Sequence, residues 1–134
     1  MTPVLIDTDI LSRFFRRDPK VVARFSEYAQ HFDVVEFSIV SYYEILSGLR
    51  HRDAHRQLEA FLEFSRENRI LPLNREAADH AARLYAETRK AGTPVDDIDI
   101  LIAGIALAHG RAIVTHNTAH FGVLPGVSLE DWAL

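Results

Sequence analysis

Cysteine is absent from the 134 residues. That excludes disulfides and thiolate metal ligands and fits the cytoplasm. No apolar run approaches the roughly 20 residues of a membrane span. The first residues carry no basic cluster ahead of the apolar ones, so they are not expected to act as a signal peptide. Lysine is scarce, with Lys20 and Lys90 the only two. There is no Gly-x4-Gly-Lys loop, Gly-x-Gly-x2-Gly or Gly-x-Ser-x-Gly, which removes the usual nucleotide-loop and serine-hydrolase readings. Positive charge is not in surplus either: the net charge is −4 with His neutral. That disfavours a simple cationic binder of nucleic acid and leaves open an enzyme whose acidic site is neutralised by divalent cations. No repeat, low-complexity tract or linker interrupts the chain, which has the length of one ordinary domain and is expected to form one over residues 1–134.

What is present is a 48% apolar composition arranged in short alternating elements. Val4 to Ile6 reads as a buried strand, and 8–17 as a helix with Ile10, Leu11, Phe14 and Phe15 on one face. Asp18-Pro19 breaks it, and Pro19 suits the first turn of a helix reaching about His31. A strand is expected over 34–39, a helix over 41–49 ending near Gly48, and an amphipathic helix over 52–68 with Leu58, Phe61, Leu62 and Phe64 inward. A short strand over 70–73 precedes a helix over 75–90, stopped by Ala91-Gly92-Thr93-Pro94. The helix over 97–109 has almost no polar face and should be buried, with Gly110 capping its end. Strands over 112–115 and 127–129 follow. Such alternation predicts an α/β fold with a short parallel sheet covered on both faces.

In such a sheet ligands bind outside the carboxyl ends of the strands, and acids recur at those places. In "VLIDTDIL", Asp7 and Asp9 follow the first strand, where Asp7 or Thr8 can equally be a helix N-cap. Glu44, in "SIVSYYEILSG", lies on the helix after the second strand. Ser41-x-x-Glu44 also fits a capping box. In "PVDDIDILIAGIALA", Asp96, Asp97 and Asp99 open the most apolar helix. Asp96 or Asp97 can cap it and Asp99 can complement its dipole, but an unpaired carboxylate against a buried helix is costly. A bound metal accounts for three acids better than one cap does. "AIVTHNTAHF" places Thr115, His116, Asn117 and His120 after a strand, and an ordinary loop accounts for them too. His116 and His120 have the spacing of a helical zinc pair, without a further strong ligand nearby. Oxygen ligands spread over three places suit Mg²⁺ or Mn²⁺. Arginine is clustered at Arg13, Arg16 and Arg17 and at Arg50, Arg52 and Arg56, as phosphate contacts or as a solvated face.

"VLIDTDILSRF", "SIVSYYEILSGL", "GTPVDDIDILIAGIALAHG", "AIVTHNTAHF" and the closing "LEDW" together resemble PIN-domain ribonucleases, and among them the VapC-type toxins of toxin–antitoxin pairs. The resemblance runs from residue 3 to the C-terminus in order and spacing. It implies a three-layer α/β/α PIN-like domain and a metal-dependent endoribonuclease that cuts RNA with one or two Mg²⁺ or Mn²⁺ ions. Asp7, Glu44, Asp99 and Asp96 fall on the catalytic and metal-holding positions, with Asp9, Thr8, Thr115 and Asn117 in support. Asn117 stands where many members have aspartate, which weakens the hold on a second ion. For such an enzyme Arg13, Arg16, Arg17, Arg50 and Arg52 are the candidate RNA contacts, through phosphate, if they are not simply a solvated face. The expected partners are a homodimer mate and a cognate VapB-type antitoxin, for which Phe14, Phe15, Phe25 and Tyr42 are candidate contacts if they are not core. Asp7-Thr8-Asp9 is also similar to the nucleophile motif of haloacid-dehalogenase-type phosphatases. Those carry Thr or Val where this chain has Leu11, and a later lysine at a strand end that neither Lys20 nor Lys90 supplies. A non-catalytic binding module of the same fold is the remaining alternative.

Overall fold

The computed structural model describes residues 2–134. Five short strands form one parallel sheet: β1 (Val4–Ile6), β2 (Glu36–Ser38), β3 (Arg69–Leu71), β4 (Ala112–Val114) and β5 (Leu129–Glu130). Their order across the sheet is β3-β2-β1-β4-β5. β1 is therefore central, and the chain winds first to one side of it and then to the other. Such a reversal opens a crevice at the carboxyl ends of the two strands where it happens, here β1 and β4.

Side chains along a strand alternate between the two faces of a sheet, and the core divides accordingly. Leu5 and Ile113 pack on one face with Ile102 and Ile105 of α6 (Asp97–Ala108) and Leu84 of α5 (Arg75–Lys90). Val4, Ile6, Phe37 and Val114 pack on the other. There they meet α1 (Thr8–Phe15), α2 (Pro19–Tyr28) and α4 (His55–Glu67) through Ile10, Leu11, Phe25 and Phe61. α3 (Ile39–His51) contributes Val40 to the first core and Leu49 to the second. The result is the expected three layers. α6 is buried as its composition predicts, and Gly104 on it is forced by packing. A Cβ there would collide with the Ala77 carbonyl and with Ala81 of α5. No helix among the described residues is long and apolar enough to cross a membrane.

Several boundaries differ from those predicted. β2 is shorter than 34–39, and α3 begins at Ile39, ahead of Ser41. The reason is the cap: the Ser38 hydroxyl accepts the Ser41 N–H at 2.9 Å. α3 also runs through Gly48 to His51. α4 starts three residues later than expected, after a turn in which Asp53 takes φ 51°. Phe61 is buried there, while Leu62 is only half-buried. A four-residue helix, α7 (Thr118–Phe121), lies where the sequence predicts only a loop.

The opposite edge of the sheet, at the amino ends of the strands, is held by a buried charge. Glu36 sits at the start of β2 and is almost fully buried. Its two oxygens accept from Arg69 Nη1 and Arg111 Nε, each at 2.7 Å, so β3, β2 and the entry to β4 are tied together. Burial would raise the Glu36 pKa, but hydrogen bonds and attraction from Arg111 and Arg69 outweigh it and hold the carboxyl below its ordinary 4.5. The Arg111 side chain is 23% exposed and that of Arg69 61%. Removing the sheltered partner strands a buried charge, whereas the exposed one is screened. Arg111→Ala should therefore lower the unfolding free energy by about 3 kcal/mol, and Arg69→Ala by about 1 or less, in urea titrations at neutral pH. A lowered carboxyl contributes stability above its unfolded pKa and loses it as pH falls through the folded one. The gap between wild type and Arg111→Ala should thus close in acid.

Candidate active site

The crevice at the carboxyl ends of β1 and β4 is where the sequence-predicted residues gather. Asp7 continues β1, its N–H donating to the Val114 carbonyl at 2.9 Å. Its backbone is the N-cap of α1, but its side chain makes no capping bond. Instead the carboxylate is buried and accepts from the Thr115 hydroxyl at 2.9 Å. That hydroxyl also lies 3.4 Å from Asp9 Oδ1, and it accepts the Asn117 N–H at 2.9 Å. Asp9, two residues on, accepts the His116 N–H at 3.2 Å. The turn Thr115-His116-Asn117 after β4 is thus pinned onto Asp7 and Asp9.

Glu44 reaches the crevice from α3. Because Ser38 caps that helix, the capping-box reading of Glu44 is corrected: its Oε1 accepts from the Thr8 hydroxyl at 2.6 Å. The Ser41 hydroxyl stands 2.8 Å from the same Thr8 oxygen. Asp99 comes from the first turn of α6. Asp7, Thr8, Asp9, Glu44, Asp99, His116 and Asn117 line a single open pocket of about 420 Å³. Asp96, the backbone N-cap of α6, is exposed and lines a neighbouring pocket with His120. It touches the cluster only through its charge, which helps raise Asp99.

The pocket concentrates negative charge that His120, 3.5 Å from Asp99, offsets only in part. Burial, then repulsion from Asp9, lifts the Asp7 carboxyl from 3.8 to about 7, although the Thr115 hydrogen bond pulls it back. Asp99 is raised as well, by burial first and by Asp96 and Asp9, against the lowering pull of His120. The two histidines do not form a zinc pair. His116 precedes α7 and bonds Asp131 through Nδ1 at 2.8 Å, while His120 stands 3.5 Å from Asp99. Asp131 is a contributor that sequence reasoning misses. It belongs to the quoted "LEDW", but only the sheet pairing of β5 beside β4 brings it to His116. Of the arginines, Arg13 pairs with Asp18 at 3.4 Å, Arg17 and Arg50 are exposed, and Arg16 and Arg52 flank a groove beside the pocket. Phe25 is core, Phe14 and Tyr42 are partly buried, and Phe15 is exposed.

A sequence model of the PIN domain matches residues 4–124. The chain belongs to the PIN domain family. The plasmid stability protein StbB of Pseudomonas syringae pv. tomato is 30% identical to it over 125 residues, 88% of this chain and 90% of that one. The tRNA(fMet)-specific endonuclease VapC of Salmonella typhimurium is 40% identical over 63 residues, 47% of this chain and 48% of that protein. The match thus spans about half the length of that relative. Among solved structures, the DNA-bound VapBC of Salmonella typhimurium superposes with a TM-score of 0.86 at 28% identity. It covers 98% of this chain and 99% of that one. Membership in this family removes the phosphatase reading of Asp7-Thr8-Asp9.

The donors that this PIN domain presents are mainly oxygen: carboxylates of Asp7, Asp9, Glu44 and Asp99, with hydroxyl and amide oxygens beside them and the His116 imidazole on the same lining. In the positions found, no group of three or more His, Asp or Glu among the described residues is close enough to hold an ion. The chemistry of the set nonetheless fits a hard divalent cation, since mutually repelling carboxylates of raised pKa are relieved by one. A carboxyl raised in the folded state destabilises it once ionised. Stability of the metal-free protein should therefore fall as pH rises from about 4 to about 7, the span between the unfolded and folded values of Asp7. Asp7→Asn should flatten that fall and raise metal-free stability above neutral pH by on the order of 3 kcal/mol. Urea titrations across this range check it, and an unchanged slope would assign the proton to another member of the cluster.

Proposed function

We propose that this PIN domain is the metal-dependent endoribonuclease toxin of a toxin–antitoxin pair. The observation that carries the reading is the gathering of Asp7, Asp9, Glu44 and Asp99 at the switch point of the sheet, with the Asp7 carboxyl lifted to about 7. A buried acid perturbed by burial and like charge in a cleft is a functional candidate. The names of relatives agree with it: a tRNA(fMet)-specific endonuclease VapC, and ribonucleases VapC1 from Haemophilus influenzae. Complexes of the VapBC type among the similar solved structures support a VapB-type antitoxin as partner, and a homodimer is part of the same proposal.

Asp7, Asp99, Glu44 and Asp96 would hold Mg²⁺ or Mn²⁺, with Asp96 in an outer position because it lies outside the shared pocket. Bound there, the cation supplies charge neutralisation for the phosphodiester and a water acidic enough to attack it near neutral pH. The chain supplies the rest. Thr115 fixes the rotamer of Asp7 and Thr8 that of Glu44, so their oxygens face the crevice in a constant geometry. Hydrolysis then forms one P–O bond and breaks another, with the departing oxygen protonated. No side-chain nucleophile is needed. Asn117, a neutral oxygen donor, would hold a second ion less firmly than aspartate.

The purified chain should cut RNA from a panel of transfer, ribosomal and messenger RNAs with Mg²⁺ or Mn²⁺, and fail in EDTA. Loss of a ligand worth several kcal/mol to the transition state should lower the rate at least about a hundredfold in Asp7→Asn and in Asp99→Asn. A folded chain that cuts none of these RNAs, and binds Mn²⁺ no better than Asp7→Asn does, is a non-catalytic binding module instead.

A further inference from the structure

Among the described residues α3, α4 and α5 each bury a hydroxyl side chain, and α3 uses its own differently. Ser65 on α4 and Thr88 on α5 donate to the carbonyls four residues back, those of Phe61 and Leu84, both at 2.8 Å. That is the usual local outlet for a hydroxyl inside a helix. Ser41, in the first turn of α3, is fully buried, and its hydroxyl crosses instead to that of Thr8 on α1 at 2.8 Å. Capping does not require it, because the Ser38 hydroxyl already accepts the Ser41 N–H. The Ser38 oxygen also stands 3.3 Å from that of Ser41, long for a bond between hydroxyls.

The protons available fix the direction of these bonds. A carboxylate can only accept, and a threonine hydroxyl has a single proton. The Thr8 proton therefore goes to Glu44 Oε1 at 2.6 Å. The bond between Ser41 and Thr8 must then be donated by Ser41. Ser41 and Glu44 lie three residues apart and so share one face of α3. Thr8 is thus gripped from two points on a single helical turn, and it is the residue next to Asp7.

We infer that Ser41 is a positioning residue for the proposed cation site: its buried hydroxyl orients that of Thr8, which in turn aims the Glu44 carboxylate into the pocket. The inference rests on the metal reading of that pocket. Without the Ser41 proton the Thr8 hydroxyl turns freely, and Glu44 loses the bond that sets its rotamer. Because the contact joins the first turns of α1 and α3, it also fixes Glu44 relative to Asp7, a carboxylate that comes from the end of β1. Outer hydrogen-bond partners of this kind orient metal ligands, and their loss lowers metal affinity about 10–100-fold.

Mn²⁺ affinity, read from the EPR signal of the free ion, tests this without relying on cleavage. Ser41→Ala should weaken binding about tenfold, the low end of that range, since Ser41 acts through Thr8. Ser41→Thr and Ser41→Val add nearly the same volume at a buried position and differ in the hydroxyl. The threonine variant should therefore hold Mn²⁺ about tenfold more tightly than the valine variant. Thr8→Val breaks the link, so adding Ser41→Ala to it should cost nothing further, whereas two independent structural effects would add. Ser65→Ala should lower stability and leave Mn²⁺ affinity alone. In the metal-free chain the Thr8 hydroxyl proton should give a slowly exchanging NMR signal that Ser41→Ala abolishes. Unchanged Mn²⁺ affinity in Ser41→Ala, equal affinities in the threonine and valine variants, or losses that add with Thr8→Val would overturn the inference. Failure of the metal reading looks different: the wild-type chain itself binds no Mn²⁺, although the Thr8 signal still depends on Ser41.

Discussion

Asp7 is buried at the end of the central strand with like charges beside it, and the arrangement of the cleft follows from keeping it there. A carboxylate in that position is unfavourable on its own account, so the fold holds it from several directions. The strand ladder fixes its backbone through Val114. The Thr115 hydroxyl fixes its side chain and reaches Asp9 as well. Thr115 can do so only because β4 lies directly beside β1 in register, Ile6 against Val114. The reversal of strand order is thus what brings a turn 108 residues away onto the first acid.

The sheet contains a second buried carboxylate, and the contrast between the two is instructive. Glu36 at the amino edge is sheltered like Asp7, yet its pKa lies below the ordinary value while that of Asp7 lies well above. Burial acts in the same direction on both. The difference is the company: two guanidiniums at 2.7 Å for Glu36, and for Asp7 two like-charged carboxylates against hydrogen bonds from the Thr115 hydroxyl and the Thr8 backbone, with no cation. The fold neutralises a buried acid at one edge and leaves another unneutralised at the opposite edge, which is the feature that supports the proposed cation site. The structural ion pair and the candidate functional acid are told apart here by what surrounds them, not by how deeply they are buried.

How much of this is legible in the sequence depends on distance along the chain. α5 is legible residue for residue, because Asn74 caps it locally and a turn containing Gly92 stops it. β1 and Asp7 are equally plain, as an apolar run ending in acids. The start of α3 is easily misplaced because Ser38 and Ser41 are both good caps, and only the end of β2 decides between them. α7 is too short to show a period. The Glu36 clasp is invisible, since its partners lie 33 and 75 residues away and a glutamate does not look like a buried strand residue. The same limit applies in the site. The positions of Asp7, Glu44 and Asp99 follow from their patterns, but Thr8 as the partner of Glu44 and Asp131 as the partner of His116 need the fold. Asp96 groups with Asp99 by sequence nearness, although three residues of a helix start separate an exposed cap from a half-buried acid of the pocket.

The charge pattern of the whole chain acquires a reason once the two cavities are seen side by side. A phosphodiester strand cannot approach a cluster of bare carboxylates unless something else attracts it. Net charge of −4 makes the approach worse at long range. Arg16, Arg52 and Arg56 line the neighbouring groove and stay out of the acidic pocket. The two signs lie in adjoining cavities joined across Thr8 and Glu44, so the guanidiniums of one leave the carboxylates of the other unneutralised. A mixed pocket would have collapsed into internal ion pairs of the kind that closes over Glu36.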